Sequence, residues 1–203
     1  MNKRITTERP AFSIIIPHLN GKHHLDDCLG SLRRQTISDF EVILVDNGST
    51  DGSQEYARNH FPEVKLLELN ENMGFTGACI AGYEVSTGDV IVLLNNDTEA
   101  DPYWLETIGS SFERVPEAGS VASKMLLFDH RDVLHTAGDY YRVDGLPGNR
   151  GVWQHDAGQY EKETFVFSAC GGAAAYRREL LEEIGFLDDD FFFSCEDVDL
   201  AWR

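Results

Sequence analysis

Val90-Ile91-Val92-Leu93-Leu94-Asn95-Asn96-Asp97-Thr98-Glu99 is five continuously apolar residues that stop abruptly at two amides and two acids. A short apolar run without alternation reads as a strand buried on both faces, the usual state of a parallel strand covered by helices. The pattern recurs upstream. Phe12-Ser13-Ile14-Ile15-Ile16 leads into Pro17-His18-Leu19-Asn20, and Phe40 to Val45 leads into Asp46-Asn47-Gly48-Ser49. Between these runs, Leu25, Cys28, Leu29 and Leu32 at helical spacing predict a helix ending near Gln35-Thr36. The Asn47 to Gly52 turn caps a helix running to about His60, and Val64 to Leu69 forms a third strand. A glycine- and alanine-rich helix from Gly74 to about Ser86 precedes the 90–94 strand. Pro102 opens the next helix, with Trp104, Leu105, Ile108, Phe112 and Val115 as its buried stripe. Strands alternating with helices predict an α/β fold: a Rossmann-like, mostly parallel sheet with helices on both faces.

After residue 119 the rhythm changes. Val121 to Phe128 reads as one more strand, and Asp129 to Glu163 as hairpins and loops. Phe165 to Phe167 restores order, and a short helix follows near Arg178 to Ile184. Glu196 to Arg203 looks like a helix cut off in its first turns, which suggests a fragment of a longer protein. The layout expected is a single domain over 11–203, with halves at 11–118 and 119–203 and a flexible N-terminus over 1–10.

Charge narrows the partners. With 35 acidic against 17 basic residues the net charge is -18, so phosphate backbones are repelled and no nucleic acid is expected. An anionic small molecule needs a cation to neutralise it locally, which favours a divalent metal over a lysine-lined cradle. Cys28, Cys79, Cys170 and Cys195 form no Cys-x-x-Cys pair and read as small buried hydrophobes in a reducing compartment. The N-terminus lacks the apolar run of a signal peptide, and no stretch approaches the ~20 apolar residues of a membrane span. A cytoplasmic protein is expected, with peripheral attachment at the inner face of the membrane left to segments outside this chain.

Ligands of open α/β sheets bind beyond the carboxyl ends of the strands. Three such ends carry polar groups here: Pro17 to Asn20, Asp46 to Ser49, and Asn95 to Asp97. The competing reading is that strand ends are turns, which favour Asn, Asp and Gly anyway. Alternate residues of an extended segment point the same way, so Asp97 and Glu99 together suit one hard cation, Mg²⁺ or Mn²⁺. Such ions take one or two carboxylates and fill the remaining positions with water and substrate phosphates. Alternatively Asp97 begins a turn, and Glu99 or Asp101 caps the following helix.

Phe12 to Asn20, Asp46 to Asp51, Asn72-Met73-Gly74-Phe75, Asn95 to Thr98 and Glu196 to Leu200 occur in this order and at familiar distances. Together they resemble the inverting glycosyltransferases of family 2, with the GT-A fold, over essentially the whole chain from residue 11. The resemblance implies a nucleotide-sugar-binding half over 11–118 and a loop-rich acceptor and catalytic half over 119–203. It implies that the first three strand ends bind the nucleotide: Pro17, His18 and Asn20 after the first, Asp46 and Asn47 against base and ribose after the second. Asn96, Asp97 and Glu99 match the metal-binding segment, and Glu196-Asp197 the motif that supplies the catalytic base, here Asp197. Asn72 and Gly74 match the segment near donor nucleotide and sugar, and Gly171-Gly172 the small-residue loop near the acceptor. A further C-terminal part of the family, able to add a metal-binding histidine, is missing.

Two departures bear on the donor. Asn47 stands where many relatives carry an acid, although its carbonyl can still accept from a pyrimidine imide. Asn95 and Asn96 precede Asp97 where many relatives have acids. Rhamnosyltransferase-like members share such changes, which points to dTDP-rhamnose, with a UDP-sugar as the other donor. The expected reaction is attack of a saccharide or lipid-linked acceptor hydroxyl, with Asp197 as base behind the apolar Phe191-Phe192-Phe193 and inversion at the anomeric carbon. A catalytically impaired nucleotide-sugar-binding domain is the main alternative. A sugar-nucleotidyltransferase lacks its Gly-rich basic loop, since Pro17 to Lys22 offers only Gly21 and Lys22. No Gly-x-Gly-x-x-Gly follows a strand, which argues against an oxidoreductase. His18, His23 and His24 read as separate loop histidines, and no spacing makes a site of His130, His135 and His155. Tyr140, Tyr141 and Trp153 read as loop packing, and Asp188-Asp189-Asp190 as a solvated run.

Overall fold

The structure, a computed structural model, describes residues 9–203, so the flexible stretch expected over 1–10 falls outside the described residues except for Arg9 and Pro10. The first half runs β1 (Phe12–His18), α1 (Leu25–Arg33), β2 (Phe40–Asp46), α2 (Ser53–His60), β3 (Lys65–Glu68), α3 (Gly74–Glu84), β4 (Val90–Leu94) and α4 (Trp104–Arg114). The second half holds β5 (Ser120–Ala122), β6 (Lys124–Leu127), β7 (His130–Ala137), β8 (Asp139–Tyr141), β9 (Pro147–Asn149), β10 (Ala173–Arg177), α5 (Arg178–Ile184) and α6 (Glu196–Trp202). The central sheet has the order β3-β2-β1-β4-β10-β5. Its first four strands are parallel, as expected, and β10 runs antiparallel to both neighbours.

Period-two alternation divides the apolar runs between two cores. Ile14 and Ile16 of β1, Val42 and Leu44 of β2, and Val92 and Leu94 of β4 face one side, under α1, α2 and α4. Ile15, Ile43, Val45, Ile91 and Leu93 face the other, under α3, α5 and α6. Full burial of both faces explains why these strands show no polar alternation. α3 approaches closest, because it offers small residues to the sheet. A Cβ on Gly82 would lie 2.4 Å from Ile15 Cγ2 and 3.0 Å from Val45 Cγ2. Among the described residues, no helix is long and apolar enough to cross a membrane.

Besides the order read at Phe165 to Phe167, where no strand forms, two expectations for the second half change. The single strand read over Val121 to Phe128 breaks at Ser123, whose hydroxyl accepts from Trp104 Nε1 at 2.9 Å. β5 stays in the central sheet, while β6 leaves it to pair with β7. The other change is β10, which the sequence reading lacked. Ala173, Ala174 and Ala175 carry no strand signal of their own, and they become a strand because β4 and β5 present free edges on either side.

Gly82→Val is expected to destabilise the chain by about 1–3 kcal/mol through overpacking between α3 and the sheet. A lower urea midpoint at unchanged slope reads this effect, and an unchanged midpoint would contradict the close approach.

Candidate functional site

The loops after β1 and β2 are stapled together at the carboxyl edge of the sheet. Asn20 adopts φ 51°, its N–H donates to Ser49 Oγ at 2.9 Å, and its Oδ1 accepts from Thr50 N at 2.8 Å. Pro17 lies within β1 opposite Val45, and His18 is the register partner of Asp46. His18 is buried, and its Nδ1 lies 2.8 Å from Asn96 Nδ2. Burial pushes the imidazole pKa down, against the opposing charge of Asp46, so the ring is read as neutral. With the Asn96 amide donating to Nδ1, the ring proton is assigned to Nε2, which has no partner among the described residues. Asp46 accepts from Ser49 N at 3.1 Å and Gln54 Nε2 at 2.8 Å through Oδ2, and its Oδ1 is also buried and unpartnered. Adjacent strand ends therefore hold one spare donor and one spare acceptor.

Asn47 is spent inside the protein. Its Nδ2 donates to Asn72 Oδ1 and to the Gly74 carbonyl, each at 2.9 Å, and its Oδ1 accepts from Met73 N at 2.8 Å. The structure thus gives this amide the work of tying β2 to the Asn72–Gly74 turn, rather than leaving it open toward a base. Gly74, at φ 76°, is pressed against Phe192, whose carbonyl would lie 2.2 Å from any Cβ there.

Beyond β4 the chain turns at Asn96-Asp97 instead of staying extended, so Asp97 and Glu99 do not share a face. Glu99 is clamped by Arg34 Nη2 at 2.8 Å and Arg131 Nη2 at 2.5 Å, one arginine to each oxygen. The two-carboxylate cation set expected from Asp97 and Glu99 is therefore not assembled. Asp97 is exposed and makes no hydrogen bond or ion pair among the described residues. One free carboxylate at a strand end fits a hard cation whose other positions are water and phosphate oxygens. Asp101 Oδ1 accepts from Tyr103 N at 2.9 Å in the turn that precedes α4, whose N-cap is Tyr103 without a side-chain cap hydrogen bond, so Asp101 does not cap the helix itself.

On the other side of Asn95 lies a cleft of about 320 Å³. Asp197, Glu196, Gly171 and Gly172 line it with Phe75 and Asn95. Gly171 N–H donates to Asp197 Oδ2 at 2.9 Å, and Asn95 N–H donates to the Gly172 carbonyl at 2.9 Å. Of the phenyl groups expected to keep Asp197 dry, Phe191 is half-buried, whereas Phe192 and Phe193 are 60% and 74% exposed, with Phe193 lining the cleft. The deeply buried acid is Glu196, whose carboxyl is pushed up by burial and then by the charge of Asp197. Its Oε2 has no partner among the described residues.

The same cleft contains Asp139, His135 and Asn149, none of which the sequence reading placed in a site. Asp139 accepts from Asn149 Nδ2 at 2.9 Å, Ser168 Oγ at 3.1 Å and Thr136 Oγ1 at 3.2 Å. Burial raises its pKa against those hydrogen bonds, and Asp197 adds to the rise. No spacing marks these residues, because the β8–β9 pairing that sets Asp139 opposite Asn149 depends on a loop of no fixed pattern.

Other readings are refined. Cys28 and Cys79 are buried, the Cys28 thiol being pushed up to about 12 by burial, but Cys170 is half-buried and Cys195 exposed, both lining the cleft. Tyr141 packs edge-on to Trp202 and beside Phe167. Trp153 and Tyr140, expected to pack the loops, are exposed. Asp188, Asp189 and Asp190 lie together on the surface.

Glu196 yields a pH prediction. Its folded pKa is raised above the ordinary 4.5. The folded state therefore holds this proton more tightly than the unfolded chain, and the associated stability, complete at low pH, is lost as pH rises through the folded value. Glu196→Gln removes that loss, so the melting temperature of the variant should gain on wild type as pH rises from 4.5 through the raised folded value. A difference independent of pH over this range would rule out a raised Glu196.

Comparison with known proteins bears on this geometry. The family model described as glycosyl transferase family 2 matches residues 13–185. The O-antigen biosynthesis protein RfbC of Myxococcus xanthus is 31% identical over 96% of this chain and 16% of its own length. Glycosyltransferase AglE of Haloferax volcanii is 35% identical over 50% of this chain and 35% of its own. The chain thus spans about a sixth to a third of these relatives. Among solved structures, the mannosyltransferase PcManGT from Pyrobaculum calidifontis, in complex with GDP-Man and Mn²⁺, superposes with a TM-score of 0.65 at 21% identity, over 96% of this chain and 51% of that one. S. aureus TarS 1-349 in complex with UDP gives 0.69 at 18% identity, over 94% and 53%. The fold of this sheet is shared with those structures, and the match over residues 13–185 carries the assignment: the chain belongs to glycosyl transferase family 2.

Proposed function

We propose that the chain is the donor-binding and catalytic core of a glycosyltransferase that moves a sugar from a nucleoside-diphosphate sugar to a saccharide or lipid-linked acceptor, with inversion, in cell-surface polysaccharide synthesis. The hydrogen bond from Asn95 N to the Gly172 carbonyl carries the reading, because it sets the turn bearing Asp97 against the cleft bearing Asp197. The ligands of PcManGT and TarS, GDP-Man with Mn²⁺ and UDP, support a nucleotide-sugar donor. The name of RfbC supports polysaccharide synthesis. Asn95 and Asn96 in place of acids favour dTDP-rhamnose, ahead of a UDP-sugar.

Each residue then has a task. His18 Nε2–H and Asp46 Oδ1, the spare donor and acceptor, meet polar groups of the nucleoside. Asp97 would hold a Mg²⁺ or Mn²⁺ ion, which when bound offsets the negative charge growing on the diphosphate. Asp197, oriented by the Gly171 N–H, takes the proton from the acceptor hydroxyl as its oxygen attacks the anomeric carbon. The bond from that carbon to the diphosphate oxygen breaks, and a single displacement inverts the centre.

The test is a melting-temperature screen of UDP-, dTDP- and GDP-sugars with and without Mn²⁺, followed by an assay for released nucleoside diphosphate. One sugar nucleotide should raise the melting temperature, and Asp97→Ala should abolish the Mn²⁺-dependent part. Asp197→Asn should keep donor binding and lower kcat by about 10²–10⁴-fold. Turnover at the wild-type rate in Asp197→Asn would remove Asp197 as the base.

A further inference from the structure

We infer that the cleft beside Asp197 admits a neutral or amino sugar as the acceptor unit and rejects an anionic one, and that Asp139, Glu196 and Asp197 impose this choice. The inference rests on the glycosyl-transfer reading above and adds the charge class of its acceptor.

At about 320 Å³ the cleft lies near the lower end of small-molecule sites, which suits one sugar ring better than an extended chain. Phe75, Pro147 and Phe193 give it apolar surface on which a ring face can rest. Its polar lining includes three carboxylates, and among the described residues no lysine or arginine lines it. Arg150, next to Asn149, is turned away: Nη1 donates to the Ala137 carbonyl at 2.7 Å and the guanidinium lies over the Tyr160 ring. Arg142, on the same hairpin, is engaged by Asp144.

Unpartnered atoms show that this wall is built to meet something. Glu196 is 5% exposed, lines the cleft and keeps Oε2 without a partner. His135 Nδ1, on the opposite element, is also buried and unpartnered. Sugar hydroxyls can donate to the first and exchange a hydrogen bond with the second. Asp139 is held rigid by Thr136, Asn149 and Ser168, so it cannot swing aside for a like charge. Burial raises Asp139 and Glu196 toward their neutral forms, which eases repulsion, but among the described residues no lysine or arginine lines the cleft to pair with a carboxylate, sulfate or phosphate. An ammonium group would instead find acceptors on several sides.

Saturation-transfer NMR titration of the chain at neutral pH tests this, with methyl glucoside, methyl glucosaminide and methyl glucuronide as probes. The first two should bind at least about tenfold more tightly than the glucuronide, and added salt should shrink the gap. His135→Lys, which introduces a cation without touching the three acids, should improve glucuronide binding by about tenfold relative to the glucoside. Glucuronide binding as tight as glucoside, or an unchanged ratio in the lysine variant, overturns the inference. So does the absence of binding by all three probes when a sugar nucleotide stabilises the chain. Failure of the transfer reading shows separately, as the absence of any stabilising sugar nucleotide.

Discussion

A backbone hydrogen bond of 2.9 Å from Asn95 N–H to the Gly172 carbonyl joins the two halves of the candidate site. It exists because β10 runs antiparallel to β4, so the entry to one strand lies beside the exit of the other. A parallel β10 would have delivered Gly171 and Gly172 to the opposite edge of the sheet, away from Asp97. Small residues make the junction possible. A Cβ on Gly172 would meet Met125 Cε at 3.3 Å and Asn95 Nδ2 at 3.4 Å, and the alanines that follow pack between sheet neighbours without displacing them.

Around this junction the protein tolerates groups that weaken it. Besides Thr76 Oγ1 in α3, the atoms His18 Nε2, Asp46 Oδ1, His135 Nδ1 and Glu196 Oε2 are buried without partners among the described residues, and each such atom costs about 1–3 kcal/mol. They cluster at the carboxyl ends of β1 and β2 and in the cleft beside Asp197, where ligands of an open sheet bind. Under the proposed function, stability is given up where polar groups must be ready for another molecule. The same logic accounts for Asp139 and Glu196, two buried acids sharing a cleft with Asp197 rather than facing solvent.

Legibility in the sequence followed the range of the interactions. β1, β2 and β4 were plain, because burial on both faces imposes a local signature of consecutive apolar residues. The helices between them were plain too, with only their ends shifted by one to three residues. The turn at Asn96-Asp97 was misread as extended, since a strand exit does not encode how sharply the chain leaves the sheet. The ion pairs of Glu99 were not legible because its partners, Arg34 and Arg131, come from distant elements. The internal ties of Asn47 were hidden for a similar reason: its three hydrogen bonds reach across the 72–74 turn.

The sequence by itself determined the alternating sheet, its helical cover, the carboxyl-edge location of Asp46 and Asp97, and the family resemblance that drew Asp197 to them. Each of these depends on periodicity, or on a motif whose residues are close in the chain. Only the tertiary structure decided that Ala173–Arg177 is a central strand, that Asp139 and His135 share a cleft with Asp197, and that Asp97 stands without Glu99. Those outcomes hang on strand pairing, side-chain ion pairs and loop closure between residues far apart in sequence, and no local pattern of polarity records such partners.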